Sequence, residues 1–261
     1  MTTSSRAPAT RPTSLPLDRI TFASVLLVLG LPVGTILIAE AFRGQVRPGM
    51  AAGGVTVVAA FIAVACLAVT LFYRGDRVAA VRLVPSLIGF RLPRIRPGHN
   101  TVQAVFFSLV VPAVGVWLML NYLVPALSDL TGVAPPAGQV DDRDTWYSST
   151  PLAWMIVSII GGVMAEEILF RGPGLMLWRL RDYTIHPIVR AGLTWGAIVG
   201  GTAVSTIAFG FLHVDYGAWN VLGAAIFGAL IYPLALATGS LWPSIAAHTL
   251  WNLVAFGVLT L

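Results

Sequence analysis

An all-helical bundle that crosses a membrane about seven times is the fold this chain predicts, and three observations carry the expectation. The 261 residues are 57% hydrophobic and only 10% charged, with a positive mean hydropathy that soluble domains of this length do not show. The apolar residues fall into runs long enough to cross the roughly 30 Å hydrocarbon core as helices. Finally, arginines and aspartates alternate between successive loops in the way that fixes membrane orientation. No soluble domain of any size is left over.

Along the chain, residues 1–19 are rich in Ser, Thr, Pro and Arg without apolar periodicity and read as a disordered cytoplasmic tail. Residues 20–149 hold three spans, at about Ile20–Ala39, Ala51–Phe72 and Thr101–Leu127, and residues 150–261 form the core that carries the chemistry. Ala39-Glu40-Ala41 imitates a signal-peptidase site, but the run before it is longer than a signal h-region of about 7 to 15 residues, so a retained helix is expected. The later spans fall at about Pro151–Trp178, Ala191–His213, Val221–Thr238 and Leu241–Leu261. Pro233 and Pro243 interrupt the last two and Gly239-Ser240 leaves only a tight turn between them, the pattern of a broken or re-entrant pair. Pro173 predicts a kink after which the helix continues to about Leu180. Gly196, Gly200 and Gly201 suit close helix packing.

All 16 basic residues are arginine and the net charge is +5, which excludes a nucleic-acid surface built from lysine clusters with interleaved aromatics. Arginines crowd the tail, the loop of Arg74 to Arg96, and the loop of Arg179, Arg181 and Arg190, whereas Ser128–Thr150 carries Asp129, Asp141, Asp142 and Asp144. The positive-inside rule then puts the N-terminus in the cytoplasm. Arg43 and Arg47 run against this pattern. The stretch Val78–Phe90 reads either as an ordinary basic loop or as a segment lying along the headgroups. Cys66 has no intrachain partner, being the one cysteine, and reads as a small buried hydrophobe.

Against this background two adjacent carboxylates in an apolar run stand out, because an intramembrane ionisable group costs several kcal/mol unless it is paired or lines a wet cavity. Glu166 and Glu167 are two of only three glutamates, and His213 and His248 lie in later apolar segments. Glu167 and Arg171 are one helical turn apart and able to pair in the favourable order. Glu166 points about 100° away and is left for proton chemistry. His248 and Asn252 are likewise one turn apart. A water between Glu166 and His213 suits general-base attack on a carbonyl, with His248 and Asn252 as oxyanion donors worth about 3 to 4 kcal/mol each. The same atoms leave a second reading open, in which Glu166, His213 and His248 hold zinc, although the His-Glu-x-x-His pattern is lacking.

Three patterns in order, Glu166-Glu167-Ile168-Leu169-Phe170-Arg171, Phe209-Gly210-Phe211-Leu212-His213 and His248-Thr249-Leu250-Trp251-Asn252, with Gly172 following Arg171, resemble the CPBP family. These are intramembrane proteases and bacteriocin-immunity-type proteins related to type II CAAX prenyl endopeptidases. The resemblance spans about Leu152–Asn252 and implies that Glu166 is the general base with His213, that Glu167, Arg171 and Phe209 support the site, and that His248 and Asn252 complete it. The expected activity is hydrolysis of a peptide bond in a membrane-associated protein or peptide, in a bacterial plasma membrane. No residue points to a prenylated substrate. Two other classes fit the same residues: a non-catalytic immunity or partner-binding protein, and a proton-coupled transporter using Glu and His as a relay, for which inverted repeats are wanting.

Overall fold

The computed structural model describes residues 85–93, 101–132, 151–184, 186–214 and 218–259. The tail, the spans expected at Ile20–Ala39 and Ala51–Phe72, and most of the acidic loop lie outside them. The described residues form helices and no strand. In chain order these are α1 (Val102–Thr131), α2 (Leu152–Phe170), α3 (Gly172–Leu180), α4 (Pro187–Phe211), α5 (Ala218–Thr238) and α6 (Trp242–Ala255). Of these, α1, α2, α4 and α5 are long and apolar enough to cross a membrane.

Proline and glycine punctuate the helices as their backbone chemistry requires. Pro173, Pro187 and Pro243 occupy the first turns of α3, α4 and α6, where the missing N–H has no intrahelical partner to lose. Left-handed glycines, Gly132 at φ 66° and Gly239 at φ 58°, follow α1 and α5, and Gly257 at φ 68° lies just beyond α6, a conformation that terminates helices without a Cβ penalty. The expected break at Pro233 does not occur, since α5 runs unbroken through it. Pro243 starts α6 rather than interrupting it. With 14 residues, α6 is about 21 Å long, too short to span. The last pair is thus one full span and one short helix.

The span expected at Pro151–Trp178 is two helices bent at Arg171, whose backbone (φ −109°, ψ −32°) departs from helical values. Leu175 N–H still bonds to the Arg171 carbonyl at 3.1 Å, so the path kinks at the proline and continues to Leu180. A further feature was not visible in the sequence: α1 contains π-helical turns at Phe106–Val110 and Met119–Leu123, and α4 at Gly196–Gly200 and Val204–Ala208. Each wider turn shifts the phase of every side chain that follows it.

The core gathers Val163, Phe170, Leu175, Leu177, Phe209, Phe227, Tyr232, Leu241 and Ala247 from α2 to α6. Tyr232 donates to the Ala197 carbonyl at 2.6 Å, and its hydroxyl lies where a side chain at Gly174 or Gly201 would sit. Of the three glycines expected to ease packing, Gly201 thus makes room for a ring. Large apolar residues of α1, among them Val102, Leu109, Trp117 and Tyr122, are exposed, as a lipid-facing helix requires. Residues 85–93 are packed into the protein: Leu87 and Ile88 are buried, Leu241 N–H donates to the Gly89 carbonyl at 3.0 Å, and Phe90 meets Trp242 edge to face. This part of the Val78–Phe90 segment is therefore core and not headgroup-bound.

Candidate active site

A cavity of about 210 Å³ lies among α1, α2, the end of α4, α5 and α6, and Glu166, His213, His248 and Asn252 all line it. Backbone path explains how residues so far apart in sequence meet. Continuation through α3 sets Glu166 well back from the end of the helical path, and α4 returns alongside, its Val204–Ala208 turn packing on α2. His213 follows in the turn after α4, and α6 lies against both α1 and α2, bringing His248 beside the glutamates.

Charge is tightly organised here. Arg171 Nη1 is 3.0 Å from Glu167 Oε1, and both side chains are fully buried. The same carboxylate oxygen accepts from His248 Nδ1 at 2.8 Å, while His248 Nε2 stands 3.5 Å from Glu166 Oε2. Glu166 is 30% exposed and borders the cavity. A carboxylate accepts only, so Nδ1 of His248 carries a proton and donates it to Glu167. His213 Nδ1 likewise donates, to the Phe209 carbonyl at 2.9 Å. Sequence spacing assigned Glu167 to Arg171 alone, whereas the fold makes it the residue that orients His248.

Phe209 is the centre of the aromatic packing. The Arg171 guanidinium lies 4.1 Å over its ring, and its edge contacts reach Phe170 at 5.3 Å, His213 at 4.9 Å and His248 at 5.5 Å. A buried cation beside both a carboxylate and a π face is offset twice, which lowers the penalty of holding it away from water. Sequence reasoning missed four further residues. Ser158, Trp219 and Asn220 line the cavity, and Ser244, fully buried, borders the Glu167 carboxylate. Ser244 was within reach of the spacing argument, since it precedes His248 by four residues on the face shared with Asn252.

The zinc reading does not fit. Among the described residues no three of His, Cys, Asp and Glu are grouped so as to hold a metal ion. Glu166, His213 and His248 are therefore not arranged as a ligand set.

Residues 148–254 match the family model described as Rce1-like, type II CAAX prenyl endopeptidase. That stretch is similar to an Rce1-like domain. It covers α2 to α6 up to the end of the third motif, the same stretch that supplies every charged or histidine side chain around the cavity. No curated protein and no solved structure gives a match. The Rce1-like domain, in a chain with four span-length helices, makes this an integral membrane protein with the framework of a membrane endopeptidase.

Proposed function

We propose that the Rce1-like domain hydrolyses a peptide bond of a membrane-associated protein or peptide by attack of a Glu166-activated water. The observation that carries this reading is the convergence of Glu166, His213, His248 and Asn252 on one cavity of about 210 Å³, large enough for a water and a peptide group. Glu166 Oε2 and Nε2 of His213 hold the water. Glu166 takes its proton as the oxygen adds to the carbonyl carbon. The resulting oxyanion meets the Asn252 amide N–H. His248 becomes a second donor once Nε2 is protonated, and Glu166, 3.5 Å away, is the group that can pass it the water's proton. That proton then leaves with the departing amine as the C–N bond breaks, which restores both side chains. Glu167 holds His248 in register throughout, and Arg171 with Phe209 holds Glu167.

No step needs a metal. The test is cleavage of a membrane-anchored peptide by purified protein in lipid, comparing wild type with Glu166→Gln and with wild type in chelator. Activity that is lost in Glu166→Gln and kept in chelator is expected. A folded Glu166→Gln variant that cleaves at the wild-type rate defeats the mechanism, and one that keeps a protective phenotype without cleavage would make the chain an immunity or partner-binding protein instead.

A further inference from the structure

Two glycines in the wall of the cavity have no neighbour where a side chain would stand. Gly162 on α2 and Gly223 on α5 both line it, and a β-carbon added to either meets no atom of the surrounding protein within 4 Å. Their neighbours on the helices show which way that space opens. Ser158 and Glu166, one turn before and one turn after Gly162, also line the cavity, as do Trp219 and Phe227 on either side of Gly223. Residues four apart share a helix face, so a side chain at either glycine would project from the face that its helix turns to the cavity. Glycines elsewhere in the bundle differ: a β-carbon at Gly174 or Gly201 would collide with Tyr232, and one at Gly228 with the Ser205 carbonyl. Those three let helices pack, whereas Gly162 and Gly223 widen a cavity.

The surroundings define what fits there. Met119, Leu123, Ile159, Phe227 and Trp251 make this wall largely apolar, and a lining of that kind with a few polar groups favours an apolar occupant. Glu166 lies four residues from Gly162, about 6 Å along the helix axis. Successive residues of an extended peptide are about 3.3 to 3.6 Å apart. A peptide whose carbonyl is within reach of Glu166 therefore brings a side chain one or two residues from that carbonyl beside Gly162. A large apolar side chain gains more there than alanine, because it removes more surface from water.

We propose that Gly162 and Gly223 make room for a large apolar side chain, of the size of Leu or Phe, beside the bond that is cut, and so set the upper limit on what the cavity accepts. This rests on the hydrolysis described above and assigns the specificity of the same site.

The experiment uses a library of peptides, each joined to a single transmembrane helix and varied among Gly, Ala, Leu and Phe along a short juxtamembrane segment. Purified full chain in lipid is given the library and the products are read by mass spectrometry. Wild type should cut beside Leu or Phe in preference to Ala by about tenfold or more. Gly162→Leu and Gly223→Leu, which fill the space, should lower the Phe-to-Ala ratio of kcat/KM about tenfold or more while cleavage beside Ala persists. Gly161→Leu, at a glycine equally free of neighbours but not in the cavity wall, should keep the wild-type ratio. An unchanged ratio in both cavity variants overturns the pocket, as does an equal fall in Gly161→Leu. A second readout is independent of turnover. The same peptides carrying benzoylphenylalanine at the varied positions, photo-crosslinked to Glu166→Gln protein, should attach to α2 or α5 beside the two glycines, with a yield that falls about tenfold when Gly162→Leu is added. Crosslinks there without cleavage by the wild type would keep the pocket and defeat the hydrolysis. Cleavage without crosslinks at either helix would keep the hydrolysis and overturn the pocket, and the absence of both would overturn both.

Discussion

Glu166 and Glu167 are neighbours in the chain with opposite surroundings, and their substitution should separate folding from chemistry. Glu167→Gln removes the charge facing both Arg171 and His248, leaving a fully buried guanidinium without its paired carboxylate, at an expected cost of about 3 to 5 kcal/mol. Thermal unfolding in detergent reads that loss. Glu166→Gln, at a partly exposed position on the cavity wall, should leave the unfolding temperature near that of the wild type and abolish cleavage. Equal destabilisation by the two changes contradicts the division. Asn252→Ala tests the oxyanion role: kcat is expected to fall about 100- to 1000-fold with KM little changed, the effect of removing one preorganised donor. A change confined to KM would make Asn252 a binding group only. Spacing made the pairing of Glu167 with Arg171 legible, because both lie on one helix. The bond from His248 to Glu167 was not, because it joins α6 to α2 and no local periodicity encodes it.

At the scale of the element, the helices depend on a few glycines whose neighbours decide what a methyl group would do. A β-carbon on Gly201 would collide with the Tyr232 ring, whereas at Gly161 nothing lies within 4 Å. Gly201→Ala is therefore expected to destabilise by about 1 to 3 kcal/mol through overpacking. Gly161→Ala should be neutral or stabilising by up to about 1 kcal/mol, from helix propensity. Thermal unfolding of the two variants side by side checks the contrast, and equal shifts would show that the ring simply moves aside. The sequence located α4, α5 and the start of α2 to within a few residues and anticipated the bend at Pro173. It misjudged Pro233, because the hydropathy pattern says nothing of whether neighbouring helices stabilise an interior proline. The π-helical turns of α1 and α4 were equally illegible. The Val204–Ala208 turn sits immediately before Phe209, so a uniform 3.6-residue period mis-phases the very residues that face the site.

Across the whole molecule, Ser128 lies in the last turn of α1 and Asp182 in the connection between α3 and α4. We propose, from the arginine distribution, that these two positions face opposite sides of the membrane. Single cysteines at Ser128 and Asp182, in a Cys66→Ala background, should be labelled by a membrane-impermeant thiol reagent from opposite sides, with position 182 on the cytoplasmic side in intact cells. Labelling of both from one side contradicts the assigned topology.

By itself the sequence determined the solvent in which this chain folds, since more than half its residues are apolar and its charge is confined to loops and one intramembrane cluster. It also determined which residues have no business in hydrocarbon unless they act together: Glu166, Glu167, Arg171, His213 and His248. Tertiary structure alone decided how they are joined. It gave Glu167 two partners, stood His248 between the two carboxylates, gave the Nδ1 atom of each histidine an oxygen acceptor, and left no cluster of ligands for a metal among the described residues. The physical reason is that composition and helical period are properties of a segment, while a hydrogen bond between α2 and α6 depends on where a kink and the π-helical turns send each backbone.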